Sequence, residues 1–341
     1  MRIGLVSTPW LPVPPLAYGG LEAVVDRLAL GLVAEGHEVL LAAPSNSTCP
    51  VPLVNGMAAV NPTDGVAGDT VTEMNHVARA YAAMADVDLV HDHTIGGPLY
   101  RHRPPGVPVV TTHHGLFDPP SNYLFQQLCR DTAVVAISRD QADSAQGVPI
   151  TRVIHHGIDV EQVPAGNGSG GYAVFLGRMC ATKGPRRAIE VARRAGMRLL
   201  IAAKMREPLE EEYFEAEIRP LLGQGVEYIG EVDEAEKYQL LGDAVALLNP
   251  ICWREPFGLV MIESMACGTP VVAPPIGSVP EIVDEAKTGF IRESTGELAA
   301  ALIMAAALER PLVREVAQTR FSTARMVAEH IDLYTELLAT R

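Results

Sequence analysis

Short apolar runs alternate with helix-like segments along almost the whole chain, and the alternation stops once and then restarts. Residues 3–7 read as a strand. Residues 20–35 read as a helix, with Leu21, Val24, Val25, Leu28, Leu32 and Val33 at helical spacing. Gly36 ends that helix, and strands are expected at 38–43, 89–93, 107–112, 133–138 and 152–156. Strand–helix–strand order of this kind predicts a parallel sheet covered by helices on both faces. The stretch Val163-Pro164-Ala165-Gly166-Asn167-Gly168-Ser169-Gly170-Gly171 has no periodicity and reads as a linker. The pattern then resumes with strands at 173–176, 198–202, 227–229, 245–248 and 271–273. Helices are expected at 185–195, 209–222, 234–241, 257–266 and 295–308. The last segment, 323–338, is amphipathic, with Met326, Val327, His330, Ile331, Tyr334 and Leu338 on one side. The chain therefore divides into a first α/β half over 1–163, a linker over 164–171, a second α/β half over 172–322 and a terminal helix over 323–341. Ligands of open α/β sheets bind beyond the carboxyl ends of the strands, so a cleft between two such halves is the expected site.

Composition removes several function classes. An apolar content of 48% supports real cores. The net charge of −14 argues against a nucleic-acid partner and against docking on anionic lipid. The five cysteines (Cys49, Cys129, Cys180, Cys252, Cys267) form no C-x-x-C pair, so neither a disulfide framework nor a zinc ribbon is expected. The sequence opens on a strand pattern without a signal-peptide core, and no apolar run reaches the ~18 residues of a membrane span, so a cytoplasmic location is the expectation.

Four groups of residues carry candidate chemistry. Gly19-Gly20 opens the first helix, where paired glycines let a ligand approach the backbone and helix amides favour an anion. It is not a G-x-G-x-x-G fingerprint, so no dinucleotide cofactor is indicated. Arg178 and Lys183, in Gly177-Arg178-Met179-Cys180-Ala181-Thr182-Lys183-Gly184, stand where a strand hands over to a helix. Two cations and helix amides there can stabilise a departing diphosphate without a metal; a solvated surface loop is the competing reading. His91-Asp92-His93, His113-His114 and His155-His156 fall at strand ends. His-x-His puts His91 and His93 on one face, which could build a metal site, whereas alternation sends His113 and His114 to opposite faces.

The fourth group is Glu255-Pro256-Phe257-Gly258-Leu259-Val260-Met261-Ile262-Glu263, which runs into Gly268-Thr269-Pro270-Val271-Val272. If Glu255 and Glu263 bracket a helix, its rise sets them roughly 12 Å apart along the axis. That is too far for two carboxylates acting on one bond, which lie ~5–9.5 Å apart. It suits two groups gripping opposite ends of one long ligand.

Residues 255–273 resemble the donor-binding signature of the retaining glycosyltransferases of family 4, which have the GT-B fold. The resemblance extends over the chain through Gly19-Gly20, Thr112-His113-His114-Gly115, Ala136-Ile137-Ser138, His156-Gly157-Ile158-Asp159, and Gly177-Arg178 with Lys183-Gly184. It implies two Rossmann-like domains facing across a cleft, with the last helix crossing back to the first. Glu255 would then bind donor-sugar hydroxyls and Glu263 the ribose. Arg178 and Lys183 would hold the diphosphate, helped by amides near Phe257, Gly258 and Leu259 and by Gly19-Gly20. His114 matches the family's histidine beside the transferred sugar, with His113 as its competitor, and the segment holding Glu231 would lie beside the base. The family often has Asn before Gly-Ile-Asp, where this chain has His156. The implied activity is transfer of a hexose from a UDP- or GDP-sugar to an acceptor hydroxyl of a soluble small molecule or saccharide, with retention, no metal and no cofactor. The alternatives are a sugar-nucleotide epimerase or hydrolase on the same fold, a metal-dependent hydrolase built on His91 and His93, and a non-catalytic sugar-nucleotide binding protein.

Overall fold

The computed structural model describes residues 1–17, 19–61, 68–128 and 130–340. Tyr18, Cys129 and residues 62–67 of the loop after Asn46 lie outside the described residues. The chain forms two compact units: Met1–Gly157 with Thr323–Arg341, and Ile158–Ser322.

The first unit holds a parallel sheet of β1 (Arg2–Val6), β2 (Glu38–Ala42), β3 (Leu89–Asp92), β4 (Val109–Thr112), β5 (Ala133–Ala136) and β6 (Ile150–Val153). Their order is β2-β1-β3-β4-β5-β6. Ile3, Leu5, Leu89, Val90, Val110 and Val134 are fully buried, as expected of strands covered on both faces. The helices are α1 (Gly20–Ala34), α2 (Thr70–Ala82), α3 (Pro119–Leu128) and α4 (Arg139–Ser144). α1 buries Val24, Val25, Leu28 and Leu32 of the stripe its spacing predicts, whereas Leu21 is half-buried and Val33 is exposed. α2 begins at an Asp69 cap whose carboxylate accepts from the Thr72 amide at 2.7 Å.

The second unit repeats the architecture with β7 (Tyr172–Arg178), β8 (Arg198–Lys204), β9 (Val226–Gly230), β10 (Ala246–Leu248), β11 (Val271–Ala273) and β12 (Gly289–Ile291). All pair in parallel, in the order β12-β11-β10-β7-β8-β9. Its helices are α5 (Pro185–Ala195), α6 (Pro208–Tyr213), α7 (Glu234–Asp243), α8 (Leu259–Ala266), α9 (Val279–Ile282), α10 (Thr295–Ala305) and α11 (Arg310–Arg320). Phe175, Ile189, Leu199, Ile201, Leu298 and Leu302 form the centre of its core. α12 (Thr323–Ala339) belongs to the first unit and packs on α1.

Three expectations change. The single helix at 209–222 is instead α6, a five-residue π turn over Phe214–Ile218 and a 3-10 turn over Arg219–Leu221. Pro220 has no amide hydrogen and would clash with the carbonyl four residues back, so a regular helix cannot continue through it. The division between units falls at Gly157/Ile158, ahead of residue 163. The glycine-rich stretch is tied into the second unit, where the amides of Gly166, Gly168 and Gly170 donate to the carbonyls of Cys267, Gly242 and Asp243. Small residues let this backbone press onto the second unit at Gly242, where a side chain on Gly166 would collide with backbone.

Candidate active site

In the second sheet β7 is flanked by β8 on one side and β10 on the other, so the chain reverses direction across the sheet at the β7/β10 boundary. The carboxyl ends of these two strands form the crevice where an open α/β sheet binds its ligand. Arg178 closes β7, half-buried and in register with Lys204 of β8. The loop after β7 brings in Lys183, and the loop after β10 brings in Trp253 and Glu255.

These three side chains meet. The Lys183 ammonium donates to Oε2 of Glu255, and their side chains are only 15% and 11% exposed. The Trp253 indole N–H donates to the same oxygen at 2.9 Å. The ammonium also sits 5.2 Å from the Trp253 ring centroid, within cation–π range. The backbone of Glu255 is fixed separately. Its carbonyl accepts from the Ser278 amide at 3.1 Å, and a side chain on Gly277 would lie 2.5 Å from the Glu255 backbone.

Glu255 is not helical. α8 starts at Leu259, so the 1.5 Å rise does not measure the separation of Glu255 from Glu263, and the helix expected from 257 is shorter. Gly258 caps it at φ +83°, a left-handed conformation that favours glycine. The first-turn amides of α8, from Leu259 on, therefore open between the two glutamates in sequence. Phe257 is 2% exposed and packs edge-on to Phe321, while its carbonyl accepts from the Ser278 hydroxyl; its side chain anchors the loop.

Glu263 lies in the second turn of α8, buried, and accepts from the Lys237 ammonium of α7 at 2.7 Å. Lys237 in turn lies 4.6 Å from the Tyr238 ring centroid. Glu231, just past β9, is held in a forked pair by Arg206 at 3.0 and 2.7 Å. Lys237 and Trp253 carry no local sequence signal. Lys237 reaches Glu263 from a different helix, so only the fold brings them together, whereas Trp253 stands two residues before Glu255 in the same loop.

In the first unit, β1 lies between β2 and β3, and the residues at the carboxyl ends of β3 and β4 are histidines. His91 shares hydrogen bonds with Tyr334 of α12 (2.6 Å) and Thr112 (2.7 Å). His93 Nδ1 and His114 Nε2 lie 2.9 Å apart. His114 stacks on His156, and His91 lies 4.2 Å from His93 and 5.2 Å from His330 between ring centroids. Five imidazoles thus contact one another. Burial drives all of them downward in pKa, His330 to about 4 and His114 to about 3, with the positive charges of neighbouring rings adding to the depression at His114. Near neutral pH they are uncharged hydrogen-bonding groups. No group of three or more His, Cys, Asp or Glu among the described residues is arranged to hold a metal ion.

His113 and His114 do point to opposite sides. His113 packs between Phe117 and Phe125 and bonds the Leu116 carbonyl at 3.1 Å, which makes it part of the core. His114 is half-buried in the histidine group. Gly19 precedes α1 with no room for a side chain, because a Cβ there would lie 2.5 Å from Pro15. Glu22, in the first turn of α1, is buried and accepts from the Thr8 hydroxyl at 2.6 Å; burial raises its pKa. No helix of the described residues is long and apolar enough to cross a membrane.

Comparison with known proteins points one way. The family profile described as "Glycosyl transferases group 1" matches residues 161–320, and that described as "Glycosyltransferase Family 4" matches residues 18–162. The phosphatidyl-myo-inositol mannosyltransferase of Mycobacterium leprae (strain TN) is 25% identical over 347 residues, covering 92% of this chain and 89% of that protein. The crystal structure of AviGT4, a glycosyltransferase involved in avilamycin A biosynthesis, superposes with a TM-score of 0.76 at 29% identity, covering 100% of this chain and 98% of that one. Anabaena HepE, solved in complex with UDP and glucose, has a TM-score of 0.75 at 19% identity, covering 98% and 99%.

Proposed function

This chain belongs to the family 4 glycosyltransferases of the GT-B fold, and we propose that it moves a hexose from a nucleoside-diphosphate sugar to an acceptor hydroxyl, with retention at the anomeric carbon. The observation that carries the donor class is the contact of Lys183 with Glu255. In a nucleotide-sugar the hexose is bonded directly to the diphosphate, so the group that holds the sugar and the group that neutralises the phosphate must adjoin. Glu255 and Lys183 do. Along the chain the first-turn amides of α8 follow, and then Glu263. This is the order of hexose, diphosphate and ribose in the ligand.

In this reading Glu255 accepts hydrogen bonds from hexose hydroxyls and Glu263 from the ribose diol. Arg178, Lys183 and the α8 amides take up negative charge as the diphosphate leaves. Glu231, already forked to Arg206, lies at the base end. In the first unit, His114 is the residue assigned to the transferred sugar, and its depressed pKa makes it a neutral hydrogen-bonding partner. Gly19 and Gly20 lend backbone to the phosphates. No side chain is assigned as a nucleophile. The acceptor attacks the face from which the diphosphate departs, through a short-lived oxocarbenium-like ion pair, and a phosphate oxygen takes the acceptor proton. Catalysis then rests on leaving-group stabilisation and positioning. UDP and GDP are the favoured nucleotides, and a soluble small molecule or saccharide is the favoured acceptor class, given the net charge of −14.

The test is nucleoside diphosphate release from UDP-, GDP-, ADP- and TDP-hexoses in the presence of EDTA, with and without saccharide acceptors. Acceptor-dependent release with a new α-linked product from an α-linked donor supports the reading. Isomerised donor, acceptor-independent release only, or release abolished by EDTA would each overturn it.

A further inference from the structure

Glu255 is held at one oxygen by two donors from different parts of the chain. The Lys183 ammonium and the Trp253 indole N–H both donate to Oε2, and among the described residues Oε1 has no hydrogen-bond partner. A carboxylate held by one flexible lysine can turn about its last bond. A second donor from a ring with only two rotatable bonds, on the same oxygen, removes that freedom. The backbone is already fixed by the Ser278 amide and by Gly277 packed against it. The carboxylate is thus immobilised with one oxygen committed inward.

We propose that Trp253 is a positioning residue for the sugar end of the donor: by holding Oε2 of Glu255 it presents Oε1 as the acceptor for a hexose hydroxyl. The inference rests on the reading of Glu255 as the sugar handle. Lys183 cannot test it cleanly, because its charge is also assigned to the diphosphate. Trp253→Phe removes the indole N–H, along with part of the ring, while retaining an aromatic face for the Lys183 ammonium.

The experiment compares wild type, Trp253→Phe, Glu255→Gln and the double variant. It measures the Kd of the nucleoside diphosphate and the kcat/KM of the corresponding hexose donor. A hydrogen bond to a charged group is worth ~1.5–3 kcal/mol, so Trp253→Phe is expected to lower kcat/KM by about 10- to 100-fold. Nucleoside diphosphate affinity should stay within about twofold, and the loss should shrink to about threefold or less on a Glu255→Gln background, because the two residues act as one unit. An unchanged kcat/KM in Trp253→Phe, an equal loss of nucleoside diphosphate affinity, or full additivity with Glu255→Gln would overturn the inference while leaving Glu255 as the sugar handle. Wild-type turnover in Glu255→Gln would instead overturn the reading of Glu255, and the inference with it.

Discussion

Mild acid should unfold the first unit well before the second. All ten histidines of the chain fall in the first unit and none in the second. Burial holds His76 and His330 at about 4 and His114 at about 3, against 6.5 for a free ring. A depressed imidazole pKa gives stability that is fully present above 6.5 and is lost as pH falls from 6.5 towards the folded value, because the unfolded chain binds the proton first. Between pH 7.5 and 5.5 each of these three rings costs on the order of 1 kcal/mol, and together they cost a few kcal/mol. Asp92 has the opposite sign. Burial raises it to about 6, so the same change of pH returns on the order of 1 kcal/mol. Glu22, also raised by burial, adds in that direction. His91, His93 and His156, all held well below 6.5 by burial, deepen the loss. The groups with assigned values leave a net loss of about 3 kcal/mol in the first unit. The assay is urea unfolding at the two pH values. The chain has two tryptophans, so Trp10 fluorescence in a Trp253→Phe variant reports the first unit, and Trp253 in a Trp10→Phe variant reports the second. With a slope of ~2–3 kcal/mol per M, the first midpoint should fall by about 1 M and the second by much less. Equal shifts in both units, or a first-unit shift under about 0.3 M, would refute the account of the histidine group.

Three further outcomes follow from the proposed donor site. Arg178→Ala and Lys183→Ala should each lose about 100-fold or more in turnover with the protein still folded by circular dichroism, as expected for groups that meet developing charge; near-normal turnover in either sinks the diphosphate assignment. Lys237→Met leaves the buried Glu263 carboxylate without its ammonium partner, and should cost about 2 kcal/mol in urea unfolding and weaken nucleoside diphosphate binding. Gly277→Ala sets a side chain at φ +63° and against the Glu255 backbone, so turnover should fall along with a stability loss of about 2 kcal/mol; an unchanged kcat would show that the Glu255 loop does not need this contact.

Much of the fold was legible because its signals are local. Helix α5 falls where its spacing and flanking glycines put it, and most strands are found within one or two residues of their apolar runs. What was missed has physical reasons. β12 is a three-residue strand, too short to show a period, and α4 has only six residues. α2 does carry an Asp69 cap and buried His76, Val77, Ala80 and Tyr81, a signal present in the sequence but weak in hydrophobicity. The helix expected at 209–222 failed at Pro220, which apolar periodicity alone does not register. Of the candidate site residues, Glu255, Glu263, Arg178 and Lys183 stand out in the sequence through their motifs. Their partners do not: Lys237 and Ser278 act across elements, with no spacing rule linking residue 237 to residue 263, and Trp253, two residues before Glu255, belongs to no motif that assigns it to that carboxylate. The helical spacing expected between the two glutamates does not hold, because Glu255 lies in a loop clamped by Trp253, Lys183 and Gly277. The sequence puts the histidines at strand ends, but their contact with His330 and Tyr334 of α12 joins segments more than 200 residues apart.

In the proposed function the two glutamates grip different ends of one nucleotide-sugar. Calorimetric titration of the nucleoside diphosphate against wild type, Glu255→Ala and Glu263→Ala, with turnover measured on the same preparations, tests it directly. Glu263→Ala should weaken nucleoside diphosphate binding by about tenfold or more, whereas Glu255→Ala should leave that affinity within about twofold and lose most turnover. Unchanged nucleoside diphosphate affinity in Glu263→Ala, or an equal loss in both variants, would contradict the account.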